Sequence, residues 1–331
     1  MQSVPDDITF SKLTSPVSPE KSWSLESFLL KIFEFGNYSF RRALQSQLSP
    51  ELQCTFFIAR HNDTIIAAAG ALYSIENPAV ALFGPVCADP QYRNLGLANK
   101  VCQLLLDHLQ TVNVEAVYLG VNPDNPAAHL YKKAGFEKLS GIVLRKLFVD
   151  AQTFNKRYSA SRQTLIQSMK WHHFPEVSAL LCEPADMYTF DFARGLYSTR
   201  YAQPKKFLPV FPEMMAAFEK KDAVYNVLRS DDSAAVVGVA SITLPTHGQF
   251  GNAAMLDFFT LNGFLENAGA LVSQTISQHK ADHSGKVLCC CLACDARKIE
   301  ILKTLDAKPY STLPEYLSIE NAPADVLIFQ I

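Results

Sequence analysis

The sequence predicts an α/β fold, with an α+β mixed sheet flanked by helices, made twice in tandem. Short strand-forming runs alternate with helical patterns through the first half, and the same order of elements begins again after residue 163. The chain has 331 residues, 48% of them hydrophobic and only 19% charged, so it is long and apolar enough to build about two cores.

In the first half the strand-like runs are ITFSKL, CTFFIARH, TIIAAAGALYSI, AVALFGPVCA, EAVYLGV and FEKLSGIVLRKLF, with a long helical region from about Trp23 to Leu48 after the first. Turn signals such as His61-Asn62-Asp63 and Glu76-Asn77-Pro78 separate consecutive strands, which makes the early strands antiparallel. Later runs are spaced by helices, as a crossover requires. The polar, aperiodic segment 151–163 is the expected linker, between a first domain at 1–150 and a second at 164–331. In the second half TLIQSM, DAVYNVLRS, AAVVGVASITL, NAAMLDFFTL, KVLCCCLA and DVLIFQI read as strands, and His173–Cys182, Leu265–His279 and ARKIEILKTL as helices.

The formal net charge of -2 gives no electrostatic reason to expect a nucleic acid or an anionic membrane as partner. No run approaches the ~18 apolar residues of a spanning helix, and MQSVPDDITF lacks the basic start and apolar run of a signal peptide, so a cytoplasmic protein is expected. Cys54, Cys87, Cys102 and Cys182 lie singly in apolar segments, and the consecutive Cys289, Cys290 and Cys291 suit a buried strand better than a metal cage. No metal is expected. Trp171-His172-His173 reads as a surface turn, and Arg41-Arg42 and Lys220-Lys221 as solvated faces.

The stretch ADPQYRNLGLANKV carries the chemistry. Leu97, Val101, Leu105 and Leu109 recur every four residues, so a helix begins near Asn94 or Leu95 directly after a strand. Its first-turn amides lack intrahelical partners and carry the positive end of the macrodipole. Gly96 keeps a Cβ out of a ligand's way, Ala98 keeps the next turn clear and Arg93 adds a planar cation, a combination that suits phosphate or pyrophosphate.

These residues, with the downstream EAVYLGVNPDNPAAHLYKKAGF, resemble the GNAT superfamily of acyl-CoA-dependent N-acetyltransferases, whose motif is Arg or Gln, two residues, Gly, one residue, then Gly or Ala. The resemblance implies acetyl-CoA as co-substrate, with Arg93, Asn94, Leu95, Gly96, Leu97 and Ala98 on its pyrophosphate. Val86 and Ala88 would offer main-chain hydrogen bonds to the pantetheine arm and acyl carbonyl, Asn125 would touch the cofactor, and Tyr131 would protonate the departing thiolate. In this family the strand before the motif splays from its neighbour and the thioester threads the gap. Gly84-Pro85 supports a disturbance there, because Pro cannot donate to a ladder. Phe35 and Tyr38 would line the acceptor.

One departure from the family pattern concerns the base: AVALFGPVCA contains no acid, and Glu76, Asp257 and His129 are substitutes without a strong claim. The expected reaction is direct transfer to the primary amine of a small molecule or peptide. The alternatives are a non-catalytic acyl-CoA-binding sensor, a longer acyl chain and an oxygen acceptor. Both monomer and homodimer are compatible with the sequence.

An ungapped overlay sets Ala81–Ala98 on Ala254–Leu271, with Glu266 at Arg93, Gly269 at Gly96 and Leu271 at Ala98; a slightly later alignment sets Lys303 at Tyr131. A carboxylate would repel pyrophosphate and a Leu would crowd the turn. The second domain is therefore expected to be degenerate, and structural or acceptor-shaping.

Overall fold

The computed structural model describes residues 7–33, 38–122, 124–159, 163–183, 185–189, 207–244, 253–319 and 321–331. The chain divides into two units, Met1–Phe154 with Trp171–Pro175, and Asn155–Lys170 with Glu176–Ile331.

The first unit runs β1 (Thr9–Thr14), α1 (Pro19–Phe33), α2 (Tyr38–Leu44), β2 (Leu52–His61), β3 (Thr64–Ser74), β4 (Val80–Ala88), α3 (Leu97–Thr111), β5 (Ala116–Gly120), α4 (Ala127–Lys133), β6 (Glu137–Ser140) and β7 (Val143–Leu147). Its seven strands form one sheet in the order β1-β2-β3-β4-β5-β7-β6. Neighbours are antiparallel except β4 and β5, which α3 connects as a crossover. Helices cover both faces, and β3 is accordingly buried from Ile65 to Ser74. Phe56 of β2 meets Phe40 of α2 edge to face, while its neighbour Phe57 packs with the cluster of α3 and α4, so α2 and α3 lie on opposite faces. α1 packs on β3 and β4 beside α2. The buried stripe of α3 is Leu97, Val101, Cys102, Leu105, Leu106 and Leu109, and each large apolar side chain in it stabilises the unit by roughly 1.5–3 kcal/mol.

The second unit runs β8 (Thr164–Ser168), α6 (Phe174–Leu180), α7 (Phe207–Glu219), β9 (Ala223–Ser230), β10 (Val236–Thr243), β11 (Ala254–Thr260), α8 (Leu265–Asp282), β12 (Val287–Leu292), α9 (Ala296–Thr304), β13 (Lys308–Ile319) and β14 (Ala322–Gln330); α5 (Ala151–Lys156) precedes it. Its sheet, in the order β13-β14-β12-β11-β10-β9-β8, is the first sheet repeated strand for strand, and β11 and β12 are again the parallel pair. The Cys289–Cys291 triplet is fully buried in β12, as its sequence setting suggests.

Several elements differ from the sequence reading. The helical region from Trp23 to Leu48 is two helices, and the first starts at Pro19, where a fixed φ and a missing N–H are harmless. The segment 151–163 carries α5, anchored by the buried Phe154. Trp171, His172 and His173 form a 3-10 turn that is buried, against the expected surface turn, with the two histidine Nε2 atoms 3.1 Å apart. Arg41 lies over the Trp23 ring at 4.1 Å rather than standing free in solvent.

Candidate active site

β4 and β5 pair only through Val80↔Ala116, Ala81↔Val117 and Leu82↔Tyr118, after which β4 continues to Ala88 without β5. The departure coincides with a bulge. Between Phe83↔Ala71 and Val86↔Ala69, β4 spends an extra residue at Gly84-Pro85, where Gly84 has φ 128. The amide of Asp89 donates to the Ile66 carbonyl of β3 at 2.8 Å. By strand alternation the main-chain groups of Ala88 and Val86 face the other way, into the space that β5 has left.

After β4 the chain makes a 3-10 turn, Pro90–Tyr92, capped by Asp89, whose Oδ1 accepts from the Gln91 amide at 3.0 Å. Lys31 of α1 donates to Asp89 Oδ2 at 2.7 Å, and that hydrogen bond first of all holds the Asp89 carboxyl below its ordinary range. Arg93 then lies exposed in extended conformation, and Asn94 (φ 65) and Gly96 (φ 76) are left-handed. These conformations keep Arg93–Gly96 out of the helix, so α3 begins at Leu97, later than the periodicity alone indicates. The first helical bond runs from the Lys100 amide to the Gly96 carbonyl at 3.0 Å, leaving the amides of Leu97, Ala98 and Asn99 ahead of the ladder. A Cβ built on Gly96 would meet nothing within 4 Å, so the loop opens onto free space. Leu95 packs half-buried against the core and Leu97 is buried, and both fix the loop from beneath. Open space, unused amides and an exposed guanidinium fit the diphosphate that the sequence leads one to expect.

Tyr131 of α4 is buried, at 8% exposure, and its ring meets Phe83 edge to face with centroids 6.4 Å apart. Phe83 is the first residue of β4 past the last pairing with β5, so the Tyr131 ring packs against the residue where the strands part. Burial, then Cys102 and Cys87, raises Tyr131 above the ordinary phenol value, so it stays protonated at neutral pH. Burial also pushes each of those thiols up to about 12. Asn125 is exposed at the entrance to α4, and its Oδ1 accepts from the Ala127 amide at 2.9 Å, leaving its side-chain NH2 as the group able to reach a ligand.

Phe35 lies outside the described residues, and of Tyr38 the structure describes the backbone, at the start of α2. Of the acids and bases weighed from sequence, Glu76 and His129 are exposed and Asp257 belongs to the second unit, where it is ion-paired. A residue not singled out from sequence is Glu26 of α1. It is 5% exposed, and among the described residues neither carboxylate oxygen has a hydrogen-bond partner, while Arg41 Nη1 pairs with Oε2 at 3.5 Å. A buried carboxylate so placed has unmet capacity for a proton or a cation. Its only sequence signal is a Glu on the apolar stripe of α1, between Leu25 and Phe28.

The second unit differs at both key points. Its 3-10 turn, Asn262–Phe264, closes through Phe264 N to Leu261 O at 2.9 Å, just as Tyr92 N closes to Asp89 O at 2.9 Å, but it runs straight into α8 at Leu265. The segment that would form an anion loop is absorbed into helix. Gly269 lies inside α8, so its match to Gly96 holds in the overlay and not in the structure. β11 and β12 also part after Leu256↔Cys289, and the next residue of β11 is Asp257, at the place of Phe83. Lys298 of α9, fully buried, donates to Asp257 Oδ1 and to the Tyr188 carbonyl, each at 2.6 Å. Helices α4 and α9 end on the same bond, Phe136 N to Tyr131 O at 3.0 Å and Ala307 N to Leu302 O at 3.1 Å. The counterpart of Tyr131 is therefore Leu302, not Lys303, and it supplies no proton.

In the first unit the central parallel pair of a mixed sheet thus parts beside an open, arginine-bearing loop. Residues 22–136 match the model of the acetyltransferase (GNAT) family, and the first unit is a domain of that family. Among solved structures the chain is similar to a ribosomal-protein-S5-alanine acetyltransferase from Vibrio fischeri, at 14% identity and a TM-score of 0.41, over 51% of this chain and 92% of that one. It is also similar to a ribosomal-protein-alanine N-acetyltransferase from Brucella melitensis, at 14% identity and a TM-score of 0.41, over 50% and 98% of the two chains. A third similarity is to an N-acetyltransferase from Staphylococcus aureus, at 11% identity and a TM-score of 0.41, over 51% and 98%. No curated protein sequence matches the chain.

Proposed function

We propose that this chain transfers the acetyl group of acetyl-CoA to a primary amine, with residues 1–150 as the catalytic domain and 164–331, beyond the segment 151–163, as a domain that takes no acyl-CoA. The observation that carries this reading is the meeting of Tyr131 with Phe83 where β4 leaves β5, beside main-chain groups of Val86 and Ala88 that face the gap. Acetyl-CoA supplies an activated carbonyl and a thiol leaving group.

In this reading Arg93 and the amides from Asn94 to Ala98 hold the diphosphate, Val86 and Ala88 orient the arm and polarise the carbonyl, and Asn125 steadies the cofactor from the far side. Tyr131 gives its proton to the sulfur as the carbon–sulfur bond breaks. The phenol carries its proton near pH 7, because burial raises it above its ordinary value of 10.0. Glu26, on the side of the sheet opposite α3, is the carboxylate we assign to take the proton of the arriving ammonium. The gain comes chiefly from positioning and fixed dipoles.

The rival is a binder without catalysis, favoured by the lack of any acid on β4. Thiol release from acetyl-CoA over a panel of small amines and peptides with free N-termini separates the two. Release that depends on one amine class and on Tyr131 supports the transferase. Tight binding of acetyl-CoA with no release across small amines and peptides favours the binder.

A further inference from the structure

Beyond the apolar anchoring of Leu95 and Leu97, few main-chain bonds hold the anion loop. Its 3-10 turn closes through one good main-chain bond, Tyr92 N to Asp89 O at 2.9 Å, and one long one, Arg93 N to Pro90 O at 3.5 Å. The next residues include two left-handed positions and precede the helical ladder. Side chains bracket this turn at both ends. At its start stand Asp89 and Lys31; at its end, the Tyr92 hydroxyl lies 2.7 Å from Nδ1 of His61, the residue that closes β2. Nε2 of the same imidazole lies 2.8 Å from Asp7 Oδ2, and the His61 and Tyr92 rings meet edge to face with centroids 5.5 Å apart.

The bonds have a direction. A carboxylate on Nε2 fixes the proton there, which leaves the Nδ1 lone pair to accept from the Tyr92 O–H. Asn62 Nδ2, at 3.4 Å from Nε2, is too far to compete with Asp7 at 2.8 Å. The second unit provides an internal contrast. At the place of Tyr92, fixed by the matching closure bond, it has Phe264, and at the place of Asp89 it has Leu261. Neither side chain can make the corresponding bond, and this unit has no loop to hold, since its turn continues directly into α8.

We infer that Asp7, His61 and Tyr92 form a bracket that positions the Arg93–Gly96 loop for the diphosphate of coenzyme A. His61 and Tyr92 are positioning residues: they act through Arg93 and the loop amides. The inference rests on the reading of the loop as a coenzyme A site. Without the bracket the loop spends less time in its binding-competent form, and apparent affinity falls by that fraction, while the chemistry at Tyr131 is untouched.

The test is calorimetric titration of the full chain with coenzyme A, alongside thermal unfolding and steady-state kinetics. Tyr92→Phe and His61→Ala should each weaken binding about five- to tenfold, the worth of one hydrogen bond. The double variant should be no weaker than the worse single one, because both remove the same link. His61→Gln should recover part of the loss, since an amide can accept from Tyr92 and donate to Asp7. KM for acetyl-CoA should rise with kcat unchanged. Wild-type binding with unaltered affinity in Tyr92→Phe and His61→Ala, whatever their thermal midpoints, would overturn the bracket and leave the functional reading standing. A folded wild type that takes up no coenzyme A would overturn both.

Discussion

In the second unit Lys298 Nζ lies 2.6 Å from Oδ1 of Asp257, the residue at the place that Phe83, the ring partner of Tyr131, holds in the first unit. Burial works against the charge on Lys298, but Asp257 and its neighbours outweigh it and hold the ammonium above its ordinary value. The two units thus share a parting of parallel strands and differ in what stands there: an apolar edge and a phenol in one, a closed ion pair in the other.

Breaking that pair from one side should be costly. Lys298→Met leaves Asp257 buried without its cation and should destabilise the second unit by about 3–5 kcal/mol. The double variant Lys298→Met/Asp257→Leu should recover most of that loss. Denaturant unfolding of the full chain, followed through the second unit's transition, reads both; equal losses in single and double variants would count against the ion pair as the staple.

Gly96 has φ 76 and open space around its missing Cβ, so Gly96→Ala meets no clash and pays only for the left-handed backbone, about 1–2 kcal/mol. Gly96→Asn should cost less, because Asn visits that region more readily. Coenzyme A affinity should follow the same order. An alanine variant that binds like wild type would show that the loop conformation is not what the ligand uses.

Tyr131→Phe should lower kcat by roughly 10²- to 10⁴-fold, the usual worth of a positioned acid, and leave coenzyme A affinity within about twofold. Because burial raises the phenol above 10.0, Tyr131 should contribute no fall in kcat below that pH. A variant with near-normal kcat would remove Tyr131 from the chemistry.

The Asp89 carboxyl is depressed from 3.8 in the folded state, chiefly by Lys31, so its contribution to stability is present above 3.8 and lost as pH falls through the lower folded value. Wild type should therefore melt above Lys31→Met at neutral pH, and the gap should close as the pH falls through the depressed folded value. A gap that stays constant between neutral and strongly acid pH would mean that Lys31 stabilises by something other than its bond to Asp89.

The order of strands and helices along the chain, the turn before α3 and the short helix that carries Tyr131 were legible in the sequence because each follows from local signals: strand runs, turn residues, a four-residue repeat and a Gly-Phe helix end. What escaped was set by distance or by exposure. β13 escaped because nearly all of it is solvent-facing and it contains Pro309 and Pro314, so it shows no buried face to read. α7 escaped because Pro212 interrupts its pattern. The bonds from Lys31 to Asp89 and from Tyr92 to His61 join residues on separate elements, which no periodicity reports. The overlay misplaced Lys303 and Gly269 because α8 starts without the loop that precedes α3, and an ungapped comparison cannot register that change.

In the proposed function one unit binds the cofactor and the other is closed to it. Calorimetric titration of the full chain with acetyl-CoA tests this through stoichiometry, read on wild type, Arg93→Glu and Glu266→Arg. One molecule should bind per chain, with binding abolished by Arg93→Glu and unaffected by Glu266→Arg. Two molecules per chain, or binding that survives Arg93→Glu, would contradict that reading.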